Sequence, residues 1–222
     1  MKKIAALILT LIFPIQCFAL NAGVISDIHS GKDKKRKAGS NITYPKKAEG
    51  FFKAALKNLK RQGAEIVIVL GDNANKGQVK YYKKLKKAAK KYGLPMVWVK
   101  GNHDSRNFAY LRNDTNYFVD IGDVRIIVVD TTYSDGNGNG QVSPEGLALY
   151  QSASQTDKKV VLAMHHPPYY KNTCDWNPLY DAISDADTIL AGHWHKNAQC
   201  GSTRVFTALT ERKRANYFMV SL

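Results

Sequence analysis

The stretch "ILAGHWHKNAQC", residues 189–200, ends an apolar run with two histidines, His193 and His195, and places Cys200 five residues after the second. A short apolar run that stops at a glycine is typical of a buried strand. If the strand continues through "GHWH", its two-residue repeat puts both imidazoles on the same side. Imidazole is a common metal ligand, so this stretch predicts a strand end that carries ligands.

Four other apolar segments end in residues of the same kind. They precede "DIH", "GDN", "GNHD" and "HH", and the potential ligands that follow them are Asp27, His29, Asp72, Asn102, His103 and His165. In an open α/β sheet, ligands bind beyond the carboxyl ends of the strands. We therefore expect the five strand ends to converge on one pocket. Histidine, aspartate and an asparagine carbonyl together suit Mn, Fe, Zn or Ni.

Each of these motifs also has a structural explanation when it is taken alone. "GDN" is a common turn, "GNHD" resembles a helix cap, and "HH" before two prolines fits a turn. "GHWH" fits a strand end with one histidine on each face. These explanations would all have to hold at five successive strand ends, and a shared site accounts for the whole set at once.

The segments between the strand ends predict one α/β domain over residues 20–222. Helical spacing of apolar residues predicts helices over residues 46–62 and 79–93, and Ser143 with Pro144 predicts a short helix over residues 143–153. Residues 116–130 predict a hairpin, residues 31–47 a loop, and two closing strands follow residue 203. The hydrophobic content of 44% is high enough to exclude global disorder.

The N-terminus predicts a secretory signal peptide over residues 1–19. Lys2 and Lys3 precede the apolar run Ile4–Ile15, and "QCFAL" places small residues at a cleavage site near Ala19. The run is too short to span a bilayer, although an uncleaved amphipathic anchor is an alternative. We expect a secreted or periplasmic protein with no transmembrane segment in the mature chain.

Cleavage would leave two cysteines, Cys174 and Cys200. An even pair in an oxidising compartment favours a disulfide, and two unpaired buried thiols are the alternative. The disulfide would join the loops that follow the two histidine-bearing strands.

The chain is strongly basic, with a formal net charge of +15. Such a surplus favours anionic partners such as nucleic acid, phosphorylated compounds or anionic lipid. The basic loop Lys32–Lys37 follows the first pair of potential ligands, so it would border the pocket. It would either hold a second phosphate or a nucleic-acid backbone there, or remain a solvated loop.

The ordered set "DIH", "GDN", "GNHD", "HH" and "GHWH" resembles the calcineurin-like metallophosphoesterase superfamily over residues 22–221. The resemblance implies a four-layer α-β-β-α sandwich of two mixed sheets flanked by helices. It also implies a site for two metal ions at the carboxyl ends of the strands.

The resemblance implies seven metal ligands: Asp27, His29 and His195 for one ion, Asn102, His165 and His193 for the other, and Asp72 for both. A carboxylate has two oxygens and can join two cations. His165 is preferred to His166 because it directly follows the apolar strand and similar family members use the first histidine. His166 is then expected near the rim or behind the ligands.

The resemblance also implies a mechanism. A hydroxide shared by the two ions would attack phosphorus in line, and His103 would protonate the leaving oxygen or stabilise the phosphoryl group. Asp104 would orient the His103 imidazole, or else cap a loop. Purple acid phosphatases carry a tyrosine ligand where this chain has Asn75, so we do not expect an iron–tyrosinate site.

These features predict an exported phosphohydrolase acting on phosphodiesters or phosphomonoesters. A nuclease for single-stranded nucleic acid and a non-hydrolytic protein that binds metal or phosphate are the alternatives. The sequence leaves the native metals, the substrate and the oligomeric state open.

Overall fold

A computed structural model describes residues 19–38, 41–104, 106–134 and 138–222. The predicted signal peptide, apart from its last residue, lies outside the described residues. The strands in chain order are β1 (Asn21–Ile25), β2 (Arg36–Ala38), β3 (Asn41–Thr43), β4 (Ile66–Leu70), β5 (Met96–Val99), β6 (Tyr117–Ile121), β7 (Val124–Val128), β8 (Lys159–Ala163), β9 (Thr188–Ala191), β10 (Ala198–Cys200), β11 (Thr203–Val205) and β12 (Phe218–Ser221). The α-helices are α1 (Ala48–Arg61), α2 (Val79–Tyr92) and α3 (Pro144–Ala153).

The strands other than β2 and β3 form two mixed sheets. The first has the order β12-β1-β4-β5, with β1, β4 and β5 parallel and β12 antiparallel to β1. The second has the order β10-β11-β9-β8-β7-β6, with parallel inner strands and an antiparallel strand at each edge. The carboxyl ends of β1, β4, β5, β8 and β9 are the positions from which the predicted ligands follow.

Three apolar clusters show that the sheets and helices form four layers. Helices α1 and α2 cover the outer face of the first sheet, and α3 with the 3-10 helix Pro178–Ile183 covers the outer face of the second. The third cluster lies between the sheets. Strand β4 explains why the inner strands are apolar throughout, because Val67 and Val69 face the helices while Ile68 and Leu70 face the other sheet. The predicted α-β-β-α sandwich is confirmed.

The predicted helix ends agree with the structure. Gly93 adopts the left-handed conformation at the end of α2, with φ of 65°. The Ser143 side chain accepts a hydrogen bond from Gly146 N at the start of α3, where Pro144 is the first residue. Among the described residues, no helix combines the length and apolar character needed to cross a membrane.

Two short elements differ from the prediction. The expected loop at residues 31–47 contains the hairpin β2–β3, and residues 198–200 form β10. Strands of three residues are too short to show a repeat in hydrophobicity, and β2 is mostly basic. Hydrophobic periodicity therefore gave no signal for either element.

Candidate metal centre

The loops after the strands bring the predicted ligands close together, and small residues make room for them. A Cβ atom at Gly192 would collide with Ser26 Oγ and come within 2.7 Å of Asp27 Oδ2. A Cβ atom at Gly101 would collide with the backbone nitrogen and the carboxylate of Asp72. Glycine at these two positions allows the ligand-bearing loops of neighbouring strands to touch.

Five of the predicted ligands have left-handed backbone conformations. Their φ values are 48° for Asp27, 46° for His29, 49° for Asp72, 65° for His193 and 53° for His195. Non-glycine residues in this region cost about 1–3 kcal/mol each and concentrate at functional sites. Strand β9 ends at Ala191, so the argument from a two-residue strand repeat through "GHWH" was wrong. The left-handed turns, and not the strand, set the directions of the two imidazoles.

The first group of potential ligands consists of Asp27, His29, Asp72 and His195, all buried, with ligand atoms within 4.8 Å of one another. His29 Nε2 lies 3.0 Å from His195 Nε2 and 3.3 Å from Asp72 Oδ2. His195 Nε2 lies 3.2 Å from Asp27 Oδ1. Two imidazole nitrogens and two carboxylates that face one point form a donor set that fits a divalent transition metal.

Burial and charge together set the protonation states of this group. Burial would raise the pKa of Asp27, but the positive charge of His195 and its hydrogen bond outweigh burial and lower that pKa. Burial also lowers the pKa of His29 to about 3, despite the opposing charge of Asp72. Burial would lower the pKa of His195, but the charge of Asp27 and its hydrogen bond outweigh burial and raise that pKa. A metal ion binds ionised carboxylates and neutral imidazoles, so its binding would displace the proton from His195.

The second group is formed by His165, His166 and His193, whose ligand atoms also lie within 4.8 Å of one another. His165 Nε2 lies 3.0 Å from Asn102 Oδ1 and 3.5 Å from Asp72 Oδ1. His165 Nδ1 donates to Leu70 O at 2.8 Å, which leaves Nε2 free as a ligand atom. Asp72 therefore turns Oδ2 to the first group and Oδ1 to the second.

His166 lies deeper than the sequence suggested. It is buried, its Nδ1 lies 2.9 Å from Thr131 Oγ1, and its Nε2 has no hydrogen-bond partner among the described residues. Burial holds the pKa of His166 well below its usual value. Of the two positions expected for this residue, the structure agrees with the one behind the ligands and not with the rim. The second histidine of "MHHPP" was the signal in the sequence for this residue, but only the first histidine was chosen as a ligand.

His103 lies at the edge of the first group, half-buried. Its ring centroid is 4.9 Å from that of His29, and its backbone nitrogen donates to Asp72 Oδ1 at 2.8 Å. Its Nδ1 lies 3.1 Å from the carbonyl oxygen of Asn75, the residue at the tyrosine position of purple acid phosphatases. The Asn75 side chain donates to Asp33 Oδ2 at 3.0 Å.

The first role predicted for Asp104, to orient the His103 imidazole, does not agree with its hydrogen bonds. Its carboxylate oxygens accept hydrogen bonds from the loop and helix around them, from Asn73 N and Nδ2, Ala74 N, Tyr82 Oη and Gly101 N. The group that faces the His103 Nδ1 atom is the Asn75 carbonyl. Asp104 therefore ties the "GDN" loop to the "GNHD" loop, which is the alternative role as a loop cap.

Cys174 and Cys200 form a disulfide, with Cα atoms 5.5 Å apart. It joins the loop after β8 to the end of β10. Tyr169 Oη donates to Cys200 O, and the Tyr169 ring packs edge-on against Trp176 at a centroid distance of 5.5 Å. The region that follows both histidine-bearing strands is thus packed as well as cross-linked.

A sequence profile of the calcineurin-like phosphoesterases matches residues 20–197. That range contains both groups of potential ligands and all five motifs. The chain belongs to the calcineurin-like phosphoesterase family.

Curated relatives share part of this chain. A cAMP/cGMP dual specificity phosphodiesterase of Mycobacterium tuberculosis is 31% identical in an alignment of 160 positions that covers 59% of this chain and 48% of that protein. A glycerophosphodiester phosphodiesterase of Enterobacter lignolyticus is 23% identical over 59% of this chain and 51% of its own length. The matched segment therefore spans about half the length of each of these two relatives.

Solved structures share the fold. A dimetal phosphatase from Danio rerio superposes with a TM-score of 0.70 at 13% identity, over 92% of this chain and 93% of its own. A purple acid phosphatase from yellow lupin superposes with a TM-score of 0.59 at 12% identity, over 95% of this chain and 47% of its own. At such low identity these superpositions support the architecture alone.

Proposed function

We propose that this protein is a metal-dependent phosphohydrolase that uses two metal ions. The observation that carries the proposal is Asp72, whose two carboxylate oxygens face two separate groups of histidines. A pair of divalent cations supplies Lewis acidity for the phosphoryl oxygens and lowers the pKa of a water molecule that attacks phosphorus.

The proposed ligands come from both groups, with Asn102 in place of His166 in the second. Asp27, His29 and His195 hold one ion, Asn102, His165 and His193 hold the other, and Asp72 holds both. Only Asp27 and Asp72 contribute negative charge, so the loaded site keeps a net positive charge and attracts an anionic phosphoester. The metals come from the set Mn, Fe, Zn and Ni, which the donor types suit.

In this proposal His103 donates a proton to the leaving oxygen. The Asn75 carbonyl oxygen lies 3.1 Å from the His103 Nδ1 atom and so favours a proton on that nitrogen. The other ring nitrogen, Nε2, lies 2.8 Å from Arg36 Nη2, and it is the atom that would exchange a proton with the substrate.

A small phosphodiester is the substrate class that we favour. The names of the curated relatives include cyclic nucleotide and glycerophosphodiester phosphodiesterases. A pocket of about 200 Å³ borders His195 and is lined by Asn41, Lys196, Arg212, Arg214 and Asn216, among others. The basic side chains of this lining suit an anionic group of a substrate.

We also propose that the protein is exported, to the periplasm or out of the cell. The disulfide supports this location because such bonds persist in oxidising compartments. Sequencing the N-terminus of the mature protein tests the expected cleavage near Ala19.

The central test is hydrolysis by the Mn-loaded protein. Bis(p-nitrophenyl) phosphate, a monoester, cyclic nucleotides, glycerophosphodiesters and single-stranded DNA are compared, with His103→Ala as the control. We expect turnover of small diesters, and a loss of about 10²–10⁴ in kcat for His103→Ala with a poor leaving group. Absence of turnover with every first-row metal would favour a binding protein.

The nuclease alternative rests on the net charge of +15. Preference for single-stranded DNA, with an activity that falls steeply as salt is raised, would support it. A small diester has few charges, so its hydrolysis is expected to depend only weakly on salt.

A further inference from the structure

Arg36 extends from the hairpin β2–β3 into the candidate metal centre. Its Nη2 lies 2.8 Å from His103 Nε2, and its Nη1 lies 3.3 Å from His29 Nε2 and 3.4 Å from His29 Nδ1. Arg36 is partly buried, whereas its neighbours Lys34, Lys35 and Lys37 are exposed. Within the basic segment Lys32–Lys37, Arg36 is the residue that contacts these two histidines.

The hairpin explains why Arg36 and Lys37 point in different directions. Arg36 is paired with Thr43, which is buried, and Lys37 is paired with Ile42 on the opposite side of the ribbon. The hairpin is also attached to the domain, because Tyr44 N donates to Thr210 Oγ1 at 2.8 Å and Ile42 N to Glu211 Oε1 at 3.1 Å. Arg36 is therefore carried by an anchored element.

The partners of Arg36 indicate what it would bind in the loaded site. A guanidinium group is always charged and has five donors and no acceptor. His29 Nε2 belongs to the first ligand group, so a cation held there would use this nitrogen, and Arg36 would lose it as a partner. The guanidinium then needs other acceptors at the same place, between His103 and the first group.

We propose that Arg36 is a substrate-binding residue that holds two oxygens of the phosphoryl group beside His103. A phosphate at this position offers oxygens spaced for the guanidinium fork, in paired charge-assisted hydrogen bonds. The proposal rests on the proposed function, and it identifies Arg36 as the residue of the basic segment that touches the phosphoester.

Phosphate binding tests this role without turnover. Inorganic phosphate is titrated calorimetrically into the Mn-loaded protein, and bound metal is measured by mass spectrometry in the same samples. We expect Arg36→Gln to weaken phosphate binding about 10-fold or more, because a charged pair of hydrogen bonds is lost. The matched control Lys37→Gln removes the same charge from the same strand and is expected to change binding less than about twofold.

Arg36→Lys keeps the positive charge but removes the planar guanidinium group. We expect it to restore only part of the affinity, because an ammonium group lacks the two parallel donors. Equal phosphate affinity in Arg36→Gln and Lys37→Gln overturns the proposal. Loss of bound metal in Arg36→Gln also overturns it, since Arg36 would then serve the ligand loop. If the wild-type protein binds phosphate through Arg36 but hydrolyses no ester, the proposed function fails, and Arg36 remains a phosphate-binding residue without a substrate.

Discussion

His165 and His166 are neighbours in the chain, yet their nitrogens have different partners. His165 Nδ1 is fixed by Leu70 O, and its Nε2 faces Asn102 and Asp72. His166 is held by Thr131 through its Nδ1. These contacts suit His165 to bind a cation that is shared with Asp72.

We therefore expect His165→Ala to lower the metal content from about two ions per chain to about one, and His166→Ala to retain both. Elemental analysis after dialysis against trace metal measures the content, and circular dichroism checks that both variants fold. A full complement of metal in His165→Ala, or the loss of one ion in His166→Ala, would transfer the ligand role to His166.

At the level of single residues, the sequence could predict which side chains gather but not how each is turned. The potential ligands follow apolar runs in the chain, so these runs and the family resemblance were enough to identify them as candidates. The left-handed conformations of His193 and His195 arise from contacts between loops. The role of Asp104 depends on Asn73 and Tyr82, which are distant in sequence, and no local pattern reveals those contacts.

At the level of elements, Gly192 is the residue that lets the end of β9 approach β1. A methyl group there meets Ser26 Oγ, Asp27 Oδ2 at 2.7 Å and Leu70 O at 2.9 Å. We expect Gly192→Ala to displace Asp27, to weaken metal binding, and to lower the free energy of unfolding by about 1–3 kcal/mol.

Gly50 provides the matched control, because it lies in α1 and a Cβ atom there meets nothing within 4 Å. Gly50→Ala is expected to raise the free energy of unfolding by about 0.5–1 kcal/mol and to leave metal affinity unchanged. Urea unfolding and metal titration measure both effects. Equal metal affinity in the two variants would show that the space at Gly192 is unimportant for the site.

The disulfide closes a segment in which the cysteines are 26 positions apart, and this segment carries both histidines of "GHWH". Replacing both cysteines by serine is expected to lower the free energy of unfolding by about 3 kcal/mol, since the unfolded chain gains freedom. Denaturant unfolding of the oxidised wild type and the double variant tests this. Two free thiols in the exported protein would contradict the cross-link itself.

Across the elements, prediction succeeded where packing leaves a pattern in the sequence. Helices α1 and α2 each bury one face, so apolar spacing located them to within a few residues. Hairpin β2–β3 packs by hydrogen bonds to Thr210 and Glu211, which leave no periodic signal. The segment that carries Arg36 was therefore read as a loop, although its position next to the pocket was anticipated.

For the whole molecule, the metal centre lies where both sheets end, so the sheets and the site depend on each other. Residues from β1 and β4 of one sheet meet residues from β8 and β9 of the other around Asp72. A bound cation would take ligands from loops of both sheets. It would also offset part of the strain in the five potential ligands that have left-handed backbone conformations. Metal binding is thus coupled to the stability of the entire sandwich.

We therefore expect metal to raise the thermal stability substantially. A ligand at 1,000 times its Kd stabilises the folded state by about 4 kcal/mol, which corresponds to a rise in Tm of roughly 10 °C for a domain of this size. Differential scanning calorimetry of chelator-treated protein, with and without Mn, Fe, Zn or Ni, measures the shift. The metal with the largest shift identifies the best-fitting ion.

Asp72→Asn removes the negative charge shared by both groups, so its shift should be much smaller, whereas Lys37→Gln should retain the full shift. If chelation leaves the Tm of the wild type unchanged and no metal raises it, the two histidine groups do not form a metal centre.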